Sequence, residues 1–266
     1  MIRAPGFTRL ALLVPLMSLS CGEETRFFIV QNQVPQAGCT VPTDRSMAYR
    51  AEGVVDATLV GESALFAYDI FPLLQNDLPA VSTEGAPQPN RLTMKGFHVE
   101  VELGAGAPPQ ARQVFDGAAA DPVLAGLLSY DEPTSGTLEP GGILTSGVGA
   151  FPAELARQLL SSGVFETTPQ LRATIRLRAV ASRQSGDIES TEFRYPLSIC
   201  AGCLVAMRGT CPLDKLENPG NACRLAQDDP VDCCLESGRL RCPAPVKSTS
   251  TTTTTTTTTG LTTPAP

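Results

Sequence analysis

Tryptophan is absent from the 266 residues, and histidine occurs once, at His98. A single imidazole confines any Ser–His or Cys–His mechanism to that residue. Excess basic charge is also lacking, since the formal net charge is −7. Nucleic-acid binding depends on basic surface that displaces counterions, so this composition argues against such a partner. No apolar run approaches the ~18 residues that a transmembrane helix needs. The G-x-S-x-G elbow, the phosphate loop and the H-E-x-x-H pair are all missing. Their absence removes the local signatures of esterase, nucleotide and zinc-protease sites. A carboxylate pair is left open, because such residues meet only in three dimensions. Beyond that, the chain presents no catalytic residue and no cofactor motif.

Cysteine, by contrast, is plentiful. Nine are present, at positions 21, 39, 200, 203, 211, 223, 233, 234 and 242. Cys21 follows a short apolar run, Leu10 to Leu19, with Arg3 and Arg9 upstream. That length suits a signal peptide over residues 1–20 and not a membrane span. The stretch Met17-Ser18-Leu19-Ser20-Cys21 resembles the lipobox of bacterial lipoproteins, with Ser18 where leucine is usual. The resemblance implies a diacylglyceryl thioether on Cys21 and cleavage just before it. Gly22, in place of an aspartate, implies the outer membrane of a Gram-negative envelope, reached through an N-terminal lipid anchor. Ordinary signal peptidase cutting at the same bond would leave Cys21 as a free thiol. Cysteine parity argues against that outcome, because an acylated Cys21 leaves an even number for disulfides. The chain also resembles uncharacterised exported lipoproteins with cysteine-rich C-terminal ends, a likeness that implies no activity.

Residues 21–199 read as a mainly β domain, an antiparallel sandwich of immunoglobulin-like or jelly-roll-like type with one or two short helices. Phe27 to Val30 opens it as a strand. Met47 to Val60 reads as one or two strands broken at Gly53 and Gly61, and Ala64 to Leu74 as an apolar segment ending at Gln75-Asn76-Asp77. From Arg91 to Leu103 the apolar parity switches: Leu92 and Met94 share one, while Phe97, Val99, Val101 and Leu103 share the other. The switch at Lys95-Gly96 predicts a β-bulge, with His98, Glu100 and Glu102 on the polar face. Gly104 to Gln110 reads as loop. Asp121-Pro122 predicts a cap for a short helix through Leu128, and Phe151, Leu155 and Leu159 predict a second helix over 152–160. Leu171 to Ala179 and Phe193 to Ile199 alternate apolar with charged residues, as in a half-exposed hairpin turning over 182–187. The arginines there read as a solvated face opposed by Glu189 or Glu192, and not as a polyanion site.

Residues 200–246 hold seven cysteines in the order C-x2-C-x7-C-x11-C-x9-C-C-x7-C. They predict a small loop-rich lobe stapled by disulfides among Cys39, Cys200, Cys203, Cys211, Cys223, Cys233, Cys234 and Cys242. Seven being odd, Cys39 is expected to supply the eighth partner. Adjacent Cys233 and Cys234 should bond to different partners. Cys200-x-x-Cys203 is half of a zinc-ribbon pattern, but it lacks a second half or a nearby histidine, so no metal is expected. A thioredoxin-like role lacks its helix-opening context. Asp228, Asp229, Asp232 and Glu236 lack the order of a calcium loop and read as a solvated acidic cluster. Residues 247–266 form a threonine-rich, low-complexity tail, either a glycosylated stalk or a tolerated expansion.

These features point first to a non-catalytic, lipid-anchored envelope protein with a structural, adhesive or accessory role and an envelope protein as partner. A glycan- or small-ligand-binding module, on a groove lined by Tyr49, Tyr68 or Tyr130, is the alternative. A carboxylate-dependent hydrolase is the third reading.

Overall fold

The computed structural model describes residues 26–81, 88–211 and 217–243. Cys21, the 1–20 segment and the threonine-rich tail lie outside the described residues. The chain forms strands β1 (Phe27–Asn32), β2 (Gly53–Asp56), β3 (Phe66–Ile70), β4 (Pro72–Asn76) and the long β5 (Leu92–Leu103). Helix α1 (Pro109–Ala120) comes next, then β6 (Ser129–Pro133), β7 (Thr137–Leu138), β8 (Ile143–Thr145) and β9 (Val148–Pro152). Helix α2 (Ala153–Ser161) precedes β10 (Gln170–Arg183), β11 (Gly186–Glu189) and β12 (Phe193–Cys200). The cysteine-rich segment adds β13 (Val205–Thr210), β14 (Val231–Glu236) and β15 (Arg239–Arg241).

The fold is mainly β, and its largest sheet runs β2-β12-β10-β5-β6, with β11 beside β10 and β7 beside β5. Strand β10 is its spine, antiparallel to both β5 and β12. Its buried residues, Leu171, Ala173, Ile175, Leu177, Ala179 and Ala181, alternate with polar ones, so one face is apolar and the other wet. Two smaller sheets, β1-β4-β8 and β3-β9, and the two helices contribute Phe27, Leu74, Tyr68, Ile70, Phe151, Leu155 and Phe115 to the same core. The layering is that of a sandwich. Two pairings depart from the antiparallel expectation: β12 with β2 and β13 with β14 are parallel.

The parity switch in β5 is a bulge. Val180 pairs with Gly96 and Ala181 with Met94, which leaves Lys95 as the extra residue. Gly96 sits where a Cβ would lie 2.5 Å from the Glu132 carbonyl oxygen of the neighbouring strand. Gly96→Ala must therefore push β6 away from β5. The expected loss is about 1–3 kcal/mol, read as a lowered denaturant midpoint; an unchanged midpoint would show that β6 yields freely. Gly53, expected to break a strand, instead begins β2, because a side chain there would overlap the buried Tyr68 hydroxyl.

The second helix lies where its periodicity places it, ending before Gly163 in the left-handed region. The first is a correction. Asp121 does accept from the backbone N–H groups of Val123 and Leu124, but the segment after it makes only one 3-10 turn, Ala125–Leu127. The true helix, α1, is upstream and takes in Pro109 and Gln110, which read as loop. The β10–β11 turn is also tighter than expected, with Arg183 paired to Gly186.

Four disulfides join Cys39 to Cys223, Cys200 to Cys203, Cys211 to Cys234 and Cys233 to Cys242. The cysteine-rich segment contains a three-stranded sheet, and its 224–229 stretch docks on the sandwich. Ala226 joins the core, Asp56 N–H donates to the Ala226 carbonyl, and Asp228 N–H donates to the Val54 carbonyl. Arg224 reaches Asp69 through both Nε (2.7 Å) and Nη2 (2.8 Å) and also donates to the Phe66 carbonyl.

Candidate functional site

The polar face of the large sheet carries a charge ladder. Arg176 pairs with Glu100 across β5 (2.8 Å), with Glu102 (2.7 Å) and with Glu192 (2.5 Å). Glu192 also takes Arg178 and Arg194. The hydrogen bonds from Arg176 and then Arg194 hold the Glu192 carboxyl down at about 2. Carboxylates thus pair with the three arginines Arg176, Arg178 and Arg194 at this face, in keeping with a solvated, internally balanced surface and not a polyanion platform. Glu189, the other acid expected to face them, instead borders a neighbouring cleft.

That cleft, of about 570 Å³, lies beside the ladder at the β5 bulge. The bulge re-aims the strand so that Lys95, Gly96 and His98 border it, and β6 supplies Asp131, Glu132 and Pro133. His98 is clamped on both sides: Nδ1 lies 2.9 Å from Asp131 Oδ1 and Nε2 lies 3.3 Å from Glu100 Oε1. The Asp131 contact, ahead of an opposing effect of burial, raises the imidazole above its ordinary pKa. With a carboxylate at each nitrogen, the ring is favoured as a donor of two protons and not as a base that accepts one. Burial, then nearby Asp69, raises the Glu132 carboxyl. Lys95 is tied to Asp187 at 2.6 Å. The cleft therefore presents Asp131, Glu132 and Glu189 against cations that are already paired.

The tyrosines do not form the groove that a stacked glycan needs. Tyr68 is fully buried, Tyr130 donates its hydroxyl to the Gly149 carbonyl, and Tyr49 is the exposed one. Tyr68 belongs instead to a buried polar cluster. Its hydroxyl lies 2.8 Å from that of Tyr195 and 3.0 Å from both oxygens of Asp228. Arg50 Nε approaches Asp228 Oδ2 at 3.3 Å, and Val54 N–H donates to Oδ1 at 3.0 Å. Asp228 has a left-handed backbone, φ 63°, which Asn and Asp tolerate better than other side chains.

Part of the acidic cluster is thus not solvated. The Asp228 side chain is 3% exposed and that of Asp232 is 0%, whereas Asp229 and Glu236 face solvent. Burial pushes Asp232 up, but Arg208 and the N–H groups of Asn218 and Glu217 bring it down to about 2. In Asp228 burial prevails over Val54, Arg50 and Tyr68, and the carboxyl is pushed from 3.8 up to about 6. An acid with a higher pKa folded than unfolded holds its proton more tightly when folded. Its contribution to stability is full below 3.8, falls as pH rises towards 6 and is then flat. We expect Asp228→Asn, which suits the left-handed backbone, to remove that component, up to roughly 3 kcal/mol. Denaturation midpoints at pH 4 and pH 7 for both proteins measure it, and parallel pH profiles would refute the assignment.

The candidate metal triad is Asp56, Cys200 and Cys203, whose ligand atoms lie within 4.8 Å of one another. Both sulfurs are in one disulfide, so no thiolate is offered. Asp56 is also fully engaged: Oδ1 accepts from Thr58 N–H, Thr58 Oγ1 and Gly202 N–H, and Oδ2 from Leu204 N–H.

No family profile matches the chain, and no curated protein matches it. A solved protein structure from Archaeoglobus fulgidus is similar at a TM-score of 0.31 and 10% identity, covering 50% of this chain and 84% of that one. A likeness that low carries no argument about fold or function.

Proposed function

We propose that the chain is a non-catalytic, lipid-anchored protein of a bacterial cell envelope, acting as a structural, adhesive or accessory component at the outer membrane. One observation carries this reading: eight of the nine cysteines are consumed in four disulfides, leaving Cys21 as the single unpaired one. An exported chain seldom keeps one reactive thiol, and acylation at a lipobox-like stretch accounts for it. Among the described residues no helix is long and apolar enough to cross a membrane, so attachment rests on the lipid. Intact mass of the protein taken from its native membrane tests the reading. Acyl chains on Cys21 support it, and an unmodified mature N-terminus refutes it.

A second reading, a small-ligand module on the same tether, is favoured by the cleft beside His98. Its carboxylates suit a small cation or a ligand rich in N–H and O–H donors better than an anion. Calorimetry with polyamines and with neutral oligosaccharides would test it. Binding abolished by Asp131→Asn together with Glu132→Gln supports the reading, and silence from both panels removes it.

A further inference from the structure

We propose that Cys200–Cys203 is a thiol–disulfide exchange site, opened and closed by a dithiol protein of the oxidoreductase class acting on Cys203. The four bridges differ in the length of chain that their opening would release. Cys39–Cys223 closes a sequence separation of 184, Cys211–Cys234 one of 23 and Cys233–Cys242 one of 9. Cys200–Cys203 closes a separation of 3. Opening it frees almost no chain, and that short loop is held independently of sulfur. Gly202 and Leu204 donate their N–H groups to Asp56 at 2.8 and 2.9 Å. Asp56 is itself fixed in β2, paired with Cys200 in the parallel β12–β2 register. The two thiols of the reduced form would therefore stay side by side, poised to close again.

The sulfurs are also unequal. Cys203 is exposed, while Cys200 is 1% exposed at the end of β12. An incoming thiolate can reach Sγ of Cys203 but not that of Cys200. In the first step the thiolate bonds to Cys203 Sγ, the Cys200–Cys203 bond breaks, and its electron pair leaves on Cys200 Sγ. That sulfur takes a proton from water and lies 3.5 Å from the Val55 carbonyl, which accepts it. The second thiol of the partner then attacks the partner's own sulfur in the mixed disulfide and releases Cys203 as a thiol. The partner dithiol is oxidised by two electrons and Cys200–Cys203 is reduced by two. Cys39 is exposed as well, but its bridge ties the first strand region to the far end of the chain, so opening it requires larger loosening. Asp56 acts as a positioning residue.

The test is equilibration of the whole folded protein in glutathione buffers of graded poise, with subsequent alkylation, peptide mass mapping and circular dichroism. The expected result is alkylation of Cys200 and Cys203 together, with the fold retained and the other six cysteines protected. The equilibrium constant for that bridge should favour the dithiol at least about tenfold more than the others. With oxidised glutathione, Cys200→Ser should form a mixed disulfide at Cys203, and Cys203→Ser should leave Cys200 unmodified. Asp56→Ala should slow re-closure of the reduced pair, and Asp56→Asn should restore much of the rate. Opening of another bridge first, or reduction of this one only on unfolding, overturns the proposal without any variant being needed.

Discussion

Replacing Cys39 and Cys223 together by alanine lowers the unfolding free energy by about 4 kcal/mol. The bridge spans a sequence separation of 184, so its loss restores much of the freedom of the unfolded chain. The folded state loses less, because the segment around Cys223 keeps its other attachments. Asn221 Oδ1 still accepts from the N–H groups of Cys223 and Arg224, and Arg224 still grips Asp69. Guanidinium unfolding under non-reducing conditions measures the difference. The variant should keep the native circular dichroism spectrum and lose midpoint. A change below about 1 kcal/mol would mean that the unfolded chain is already compact enough to hold these ends together.

Arg224→Ala has an effect of similar size by a different route. The guanidinium meets Asp69 through two nitrogens and caps the Phe66 carbonyl, and the Asp69 side chain is only 17% exposed. Burial already raises the Asp69 carboxyl, against the pull of Arg224. Without its partner the carboxylate is left buried and unpaired, a loss of about 3–5 kcal/mol. The double replacement Arg224→Leu with Asp69→Leu strands no charge and should recover a large part of that loss. Equilibrium unfolding of the single and double variants decides the matter. If the double variant is no more stable than Arg224→Ala, the pair acts through shape and not through charge.

The strands that alternate cleanly were the most legible part of the chain. In β10 and β12 one parity is buried and the other polar, and the two strands pair from Gln170–Cys200 to Leu177–Phe193. The bulge could be read from a parity switch because a single extra residue flips every side chain beyond it. Helix α1 escaped notice for a reason of residue type. Its buried stripe is Ala111, Phe115 and Ala118, at helical spacing, but two of the three positions are alanines, which contrast weakly with their neighbours. The parallel β2–β12 pairing and the buried Asp228 and Asp232 had no local signal. Asp228 meets Val54 and Tyr68 across 174 and 160 residues, and no pattern around Asp228 encodes those partners. The candidate site was half visible. Strand parity places His98 beside Glu100, whereas Asp131 arrives from β6, which is too short and polar to be recognised as a strand. Asp56, far before Cys200 in the chain, could be joined to the C-x-x-C loop only by the fold.

The Cys39–Cys223 bridge also fixes how the molecule responds to a mechanical load. Tension applied between the two ends of the chain enters through β1 and reaches Cys39 a few residues later. There the covalent bond carries it straight to Cys223. The long loop between them, which includes all of the large sheet, is shunted out of the force path. Pulling would peel β1 and unravel the segment after Cys223, then stop. The sheet that carries the charge ladder and the cleft would stay folded under forces that extend the rest.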